Sequence, residues 1–129
     1  MHISICFLYL VALILTGGWR GSGERSDSVE VFDQPDGTGS CSVPALDAPR
    51  EGHVTFTLGD VILTCGGRTN VGSSDSCVSL NYSSGGWINH STLTTYDRYF
   101  SSSVIIQGER CILGGWSSTM KTIECLNET

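Results

Sequence analysis

The sequence predicts an all-β chain built from repeated units of short antiparallel strands, and three observations carry that expectation. Gly66-Gly67 recurs as Gly114-Gly115, 48 positions further on, and each pair closes an apolar run: Ile62-Leu63-Thr64-Cys65 and Cys111-Ile112-Leu113. Arg50 and Arg98 stand the same 48 positions apart, each sixteen residues ahead of its Gly-Gly. No segment sustains a 3.6-residue apolar period, whereas short apolar or alternating runs bounded by Gly, Pro, Asp and Ser recur along the chain. A fixed period of this length marks a stacked-repeat architecture in which each unit buries its faces against its neighbours.

A chain of 129 residues, 40% hydrophobic, has room for one modest domain. Ile3 to Leu15 is almost unbroken apolar sequence, shorter than the ~20 residues a membrane-spanning helix needs but suited to the h-region of a secretory leader. Small residues follow at Thr16, Gly17 and Gly18. Residues 1–18 are therefore expected to be a signal peptide cleaved near Gly18, with an uncleaved anchor as the alternative and only His2 and the amino terminus supplying positive charge. Nothing else reads as membrane-inserting, so the expectation is a secreted, extracellular protein. Asn81, Asn89 and Asn127 each head an Asn-x-Ser/Thr glycosylation acceptor, which agrees with that route. The net charge is −6 and the seven Lys and Arg are scattered. No basic stripe is present to neutralise phosphates, which excludes nucleic acid and anionic membrane surfaces as natural partners.

In chain order, the Gly/Ser-rich residues 19–28 read as a flexible lead-in. Val29 to Phe32 is a short strand, and Gln34 to Gly39 a turn by its Pro, Asp and Gly content. Cys41 to Val43 reads as a further short strand ended by Pro44. From Arg50 to Leu58 the residues Val54, Phe56 and Leu58 alternate with Thr55 and Thr57, giving a half-buried strand of period two. Gly59-Asp60 turns the chain into the apolar strand Val61 to Thr64, forming a hairpin that Gly66-Gly67 ends. A polar loop, Arg68 to Ser76, leads to the strand Cys77 to Tyr82. Ser83 to Gly86 is a turn, and Trp87 opens a fourth strand. After Arg98 the pattern repeats: strand Ser103 to Ile106, turn Gln107-Gly108, strand Arg110 to Leu113, Gly-Gly, loop, and strand Thr122 to Leu126.

Four antiparallel strands per 48 residues, with Gly-Gly after the second and Trp at the fourth, is the layout of a propeller blade. The chain here resembles the kelch repeat. The likeness rests on the two apolar runs ending in Gly-Gly, on Trp87 twenty residues after Gly67, and on Ala48-Pro49-Arg50-Glu51-Gly52-His53. Val29 to Asp33 and Thr122 to Leu126 are similar to third strands of such blades. Ser101 departs from the pattern, standing where the second Arg-x-x-His would place histidine, as do Ser40 and Cys41 where a Trp would stand. The resemblance implies antiparallel four-stranded blades of a kelch-like β-propeller: one full blade at about 50–95 and partial blades at 29–49 and 96–129. About two blades cannot close a ring, so open edges would need a partner or further chain.

If strands two and three of each blade are antiparallel neighbours, the cysteines pair by register. Cys111 lies two residues further back from its Gly-Gly than Cys65, and Cys125 two residues further forward than Cys77 when Asn127 is aligned with Asn81. The opposite shifts allow two cross-strand disulfides, Cys65 with Cys77 and Cys111 with Cys125; an ungapped 48-residue alignment removes that agreement. A Cys41–Cys65 bridge is the competing connectivity. With Cys6 in the leader, five cysteines remain, and Cys41 is expected to pair outside the chain. A zinc site is disfavoured by the spacings and the compartment.

No nucleophile or metal-ligand motif accompanies His53 and His90. Arg50 and His53 can be read as an anion site or, more simply, as hydrogen-bonding groups joining adjacent blades. Asp33 and Asp36 belong to a turn more readily than to a calcium site, and Trp87 to inter-blade packing more readily than to a sugar platform. No cofactor and no metal are expected. The expected activity is non-catalytic binding or adhesion to an extracellular protein or glycan, through the loops Arg68 to Ser76 and Trp116 to Lys121, with Arg68 and Trp116 as contacts. Another chain would join through Cys41 or the open edges. The alternative is a fragment of a propeller oxidase or hydrolase whose catalytic residues lie elsewhere.

Overall fold

A computed structural model describes residues 13–32, 43–58, 61–81, 86–90, 96–116 and 121–126. The described residues form thirteen short strands in several small antiparallel sheets, none closed into a ring, and no helix. They group into three successive units of the same plan. The first has β1 (Leu13–Thr16) paired with β4 (Val29–Phe32), separated by the small hairpin β2 (Trp19–Gly21) and β3 (Glu24–Arg25). The second is a four-stranded sheet in the order β10-β9-β6-β5, made of β5 (Val54–Leu58), β6 (Val61–Cys65), β9 (Cys77–Asn81) and β10 (Trp87–His90). Its own hairpin, β7 (Arg68–Thr69) with β8 (Gly72–Ser73), sits between β6 and β9. The third is β11 (Ser102–Ile106), β12 (Glu109–Leu113) and β13 (Ile123–Cys125), in that spatial order.

Why the middle unit reads as unbroken apolar sequence follows from its position. Side chains alternate across a strand. Val54, Phe56, Leu63, Cys65 and Cys77 face the third unit and form one core with Ile112 and Leu126. Ile62, Thr64, Val78 and Leu80 lie on the opposite face and are also buried. There Thr55 Oγ1 meets Thr16 Oγ1 of the first unit at 2.9 Å and Thr64 Oγ1 at 3.0 Å. A sheet covered on both faces needs apolar residues at successive positions, so Ile62 to Cys65 shows a run rather than alternation.

Each Gly-Gly turns its strand out of the sheet. Gly66 and Gly67 have φ of 72° and 94°, and a Cβ on either would stand 2.8 Å from a backbone oxygen, of Arg98 and Glu51 respectively. Only glycine meets both demands. Between β11 and β12, Gln107 and Gly108 both have positive φ, 50° and 81°, which is the type I′ geometry of a two-residue hairpin.

Two stretches differ from the sequence reading. Leu13 to Thr16, read as the end of a leader, forms β1, and a chain cut near Gly18 would lose that strand. Residues 19–28, read as a flexible lead-in, form the β2–β3 hairpin and a tight turn with Ser26 buried. The reason is that Ile14-Leu15-Thr16-Gly17-Gly18 is a third apolar run ending in Gly-Gly, and Ser26-Asp27-Ser28 precedes Ser74-Asp75-Ser76 by 48 residues. An h-region and a buried strand share one composition, so the apolar run alone does not separate them. The polar loop 68–76 likewise contains β7 and β8. Residues 1–12, the 34–39 turn, Cys41, Gly59-Asp60, Ser83 to Gly85 and Asn127 lie outside the described residues, as do Asp33, Asp36 and 117–120 of the loop after Trp116.

Candidate functional site

The units are held together by a repeated set of hydrogen bonds. Within each, the first glycine amide donates to the residue just before the third strand: Gly17 to Ser28 O at 2.8 Å, Gly66 to Ser76 O at 2.9 Å, and Gly114 to Thr122 O at 3.0 Å. Between units, Gly18 donates to Arg50 O and Gly67 to Arg98 O, both at 2.8 Å. The arginine side chains then cross to the following unit. Arg50 Nη1 donates to Gly66 O at 2.8 Å and Ser76 O at 3.4 Å, and Arg98 Nη1 to Gly114 O at 3.1 Å and Thr122 O at 3.2 Å. Both guanidinium groups are almost fully buried, and each meets a carboxylate: Asp47 for Arg50 at 3.1 Å and Glu124 for Arg98 at 3.4 Å. Arg50 is thus structural, with both terminal nitrogens bonded inside the molecule.

His53, the other half of the possible anion site, is also committed. Its Nε2 lies 2.8 Å from Thr16 Oγ1, its Nδ1 is buried without a hydrogen-bond partner among the described residues, and Gly67 packs against its Cβ. Burial, reinforced by the neighbouring Arg50 charge, lowers its pKa to about 4, against a weaker opposing effect of Thr16. A histidine kept neutral in this way does not hold an anion at neutral pH. His90 Nε2 lies 2.6 Å from Ser79 Oγ, on the β9–β10 pair, whereas His53 precedes β5. Among the described residues no group of three or more His, Cys, Asp and Glu is placed to hold a metal ion.

The cysteines are joined as Cys65–Cys77 and Cys111–Cys125, with Cα separations of 4.1 and 3.9 Å. Each pair is directly opposed across two antiparallel strands, and the flanking bonds Gly66 N to Ser76 O and Leu126 N to Arg110 O mark both as non-hydrogen-bonded positions. There the side chains approach most closely, which suits a bridge. Disulfides of this kind belong to an oxidising compartment. No helix among the described residues is long and apolar enough to cross a membrane. Asn89 is exposed on β10; the side chain of Asn81 and all of Asn127 lie outside the described set. Trp87 is half-buried, and its indole Nε1 donates to Pro44 O at 2.9 Å, across the connection between the first and second units.

One exposed group lies at the exit of the Gly-Gly turns. The residue after each pair is Trp19, Arg68 and Trp116, one from each unit, and all three are exposed. They are linked side by side. The Arg25 guanidinium lies 5.9 Å from the Trp19 ring and pairs with Glu51 at 3.0 Å; Glu51 forms a backbone bridge with Arg68. Arg68 lies over the Tyr99 ring at 5.9 Å, and Tyr99 forms a backbone bridge with Trp116. Phe100, two-thirds exposed, packs edge-on against Tyr99, and its amide donates to Gly52 O at 2.7 Å.

Arg68 and Trp116, the two contact residues expected from sequence, therefore lie on one ridge. Trp19, Tyr99 and Phe100 of the same ridge escaped that reading. The 48-residue offset relates Arg68 to Trp116 and Glu51 to Tyr99, and the third Gly-Gly marks Trp19, so the signal was present in the spacing. No protein-family model matches the sequence, and no curated protein is a match to it.

Proposed function

We propose that this chain is a secreted, kelch-like binding or adhesion module that engages an extracellular protein or glycan and performs no catalysis. The observation that carries the reading is the ridge on which Trp19, Arg68 and Trp116 stand exposed at corresponding positions of successive units, joined by the half-buried Tyr99 and the exposed Phe100. Trp, Tyr and Arg are the residue types that dominate recognition hot spots, because each combines a large apolar surface with a polar or charged handle. The frame behind them is stitched by buried arginines and two disulfides, so the ridge loses little conformational freedom when it binds. The disulfides and the exposed Asn89 acceptor support the oxidising, secretory setting. This reading does not require cleavage near Gly18.

The test is capture of ligands on the immobilised full chain from panels of extracellular proteins and glycans, compared with Trp116→Ala and Arg68→Ala. Ligands retained by the wild type and lost by both variants at unchanged melting temperature support it. Equal retention by all three would refute the ridge as the contact.

A further inference from the structure

The two arginine stitches inside the chain define an acceptor set that occurs a third time, facing outward. In the second unit the Arg50 guanidinium is received by Gly66 O, Ser76 O and, at 3.4 Å, Ser76 Oγ. In the third, Arg98 is received by Gly114 O, Thr122 O, Thr122 Oγ1 at 3.0 Å and the Glu124 carboxylate. The corresponding atoms of the first unit are Gly17 O, Ser28 O, Ser28 Oγ and the carboxylate of Glu30. Strand register fixes this correspondence, since Leu15 opposes Glu30 as Thr64 opposes Val78 and Ile112 opposes Glu124.

The local geometry is the same as well. Ser26 Oγ meets Ser28 Oγ at 2.8 Å, as Ser74 Oγ meets Ser76 Oγ at 2.8 Å, and Ser28 and Ser76 amides donate to Ser26 and Ser74 Oγ at 3.1 and 3.0 Å. What differs is cover. Thr64 and Ile112 are buried, at 0% and 1% exposure, by the unit before each, whereas Leu15 at the corresponding position is 48% exposed and Glu30 is exposed beside it. Among the described residues no side chain donates to Gly17 O or Ser28 O.

We propose that this face of the first unit is a docking surface for an extended segment of a partner polypeptide that presents one arginine. Its guanidinium is received by Gly17 O, Ser28 O, Ser28 Oγ and Glu30, while the segment covers Leu15. The occupant is specified by chemistry the molecule already uses: two carbonyl oxygens and a hydroxyl receive an arginine in both the second and third units, and the carboxylate at the Glu30 position does so in the third, as Glu124. This set matches the planar fork of guanidinium better than the single ammonium of lysine. The net charge of −6 favours the approach of such a segment. The proposal is independent of the ridge, which lies at the Gly-Gly exits.

The experiment uses the full oxidised chain, labelled with 15N, titrated with a peptide of the sequence of residues 45–53, which carries Arg50 in its native surroundings. Saturable shifts at Leu15, Gly17, Ser28 and Glu30 amides are expected. Binding should weaken about tenfold when the peptide arginine is replaced by lysine, because the bidentate contact is lost. Glu30→Gln should weaken it about threefold and Glu30→Lys more; both substitutions lie on the surface, and Glu30→Gln serves if Glu30→Lys fails to fold. Shifts centred on Gly66 and Ser76, which would mean displacement of the internal Arg50, overturn the proposal. So do equal affinities for the arginine and lysine peptides, or no saturable binding at millimolar peptide.

Discussion

Arg50 Nη1 donates to the carbonyl of Gly66 at 2.8 Å, joining the connection that leaves the first unit to the turn that ends a strand of the second. The backbone of Arg50 is bound in the opposite direction, accepting from Gly18 N and donating to Ser26 O at 3.1 Å. One residue thereby fixes two units at once, and Arg98 repeats the arrangement for the next pair. The sixteen-residue spacing of Arg to Gly-Gly is the sequence trace of this bond.

Removing the stitch leaves several buried acceptors without donors. Arg50→Ala is expected to lower stability by about 2–4 kcal/mol, since a charged hydrogen bond to more than one buried partner is lost. Arg50→Lys recovers only part of this, because an ammonium does not reach Gly66 O and Asp47 in the same fork. Urea melts of the oxidised protein check both, and a loss under about 0.5 kcal/mol for Arg50→Ala would contradict a structural role.

His53 gives the fold a pH dependence of defined sign. Its pKa falls from the ordinary 6.5 to about 4 in the folded chain. Between those values the unfolded chain binds a proton that the folded chain does not, so stability rises with pH through this window and is lost as pH falls from about 6.5 toward 4. His53→Ser, which installs the residue that stands at the corresponding position in the third unit, should flatten that part of the curve while leaving carboxylate titration below it. Parallel pH profiles for wild type and variant would contradict the assignment.

The repeat was legible in the sequence, and so were the strands of the second and third units, because Gly66-Gly67 and Gly114-Gly115 end apolar runs at one fixed offset. The first unit was hidden by a physical ambiguity. Ile14-Leu15-Thr16 extends an apolar segment long enough for a leader, and composition does not distinguish that from a buried strand. The β7–β8 hairpin was hidden for a different reason: strands of two residues carry no periodicity, and Arg68-Thr69 and Gly72-Ser73 are held by the backbone bridge to Glu51 and by Thr69 Oγ1 donating to Gly72 O. The ridge was half legible. Arg68 and Trp116 stand out as loop residues, whereas Tyr99 is marked only by its 48-residue offset from Glu51, and its contacts with Arg68 and Trp116 join chain segments whose side chains differ between the units.

The two disulfides close loops of sequence separation 12 and 14. Replacing Cys65 and Cys77 together by serine should cost about 3 kcal/mol, the entropy restored to an unfolded chain with a loop of this size. Peptide mapping without reductant should recover Cys65 linked to Cys77 and Cys111 to Cys125. A Cys41–Cys65 fragment in the same map would contradict the register.

At the ridge, contact and stability should separate. Trp116 is 62% exposed, so Trp116→Ala is expected to change stability by less than about 1 kcal/mol. Arg68→Ala should act similarly, losing a surface cation–π contact to Tyr99 of about 0.5–1 kcal/mol. Thermal melts of both variants check this, and a large loss of stability would assign these residues to the frame instead of the contact.

The three units are stitched alike, the first included. Amide hydrogen exchange of the full oxidised chain tests it most directly, because Gly17 N and Gly18 N donate to Ser28 O and Arg50 O as Gly66 N and Gly67 N donate to Ser76 O and Arg98 O. Gly17 and Gly18 are expected to be protected to the same order as Gly66 and Gly67, with protection at Gly18 lost in Arg50→Ala. Exchange of Gly17 and Gly18 at the rate of an unstructured chain, with Gly66 and Gly67 protected, would contradict it.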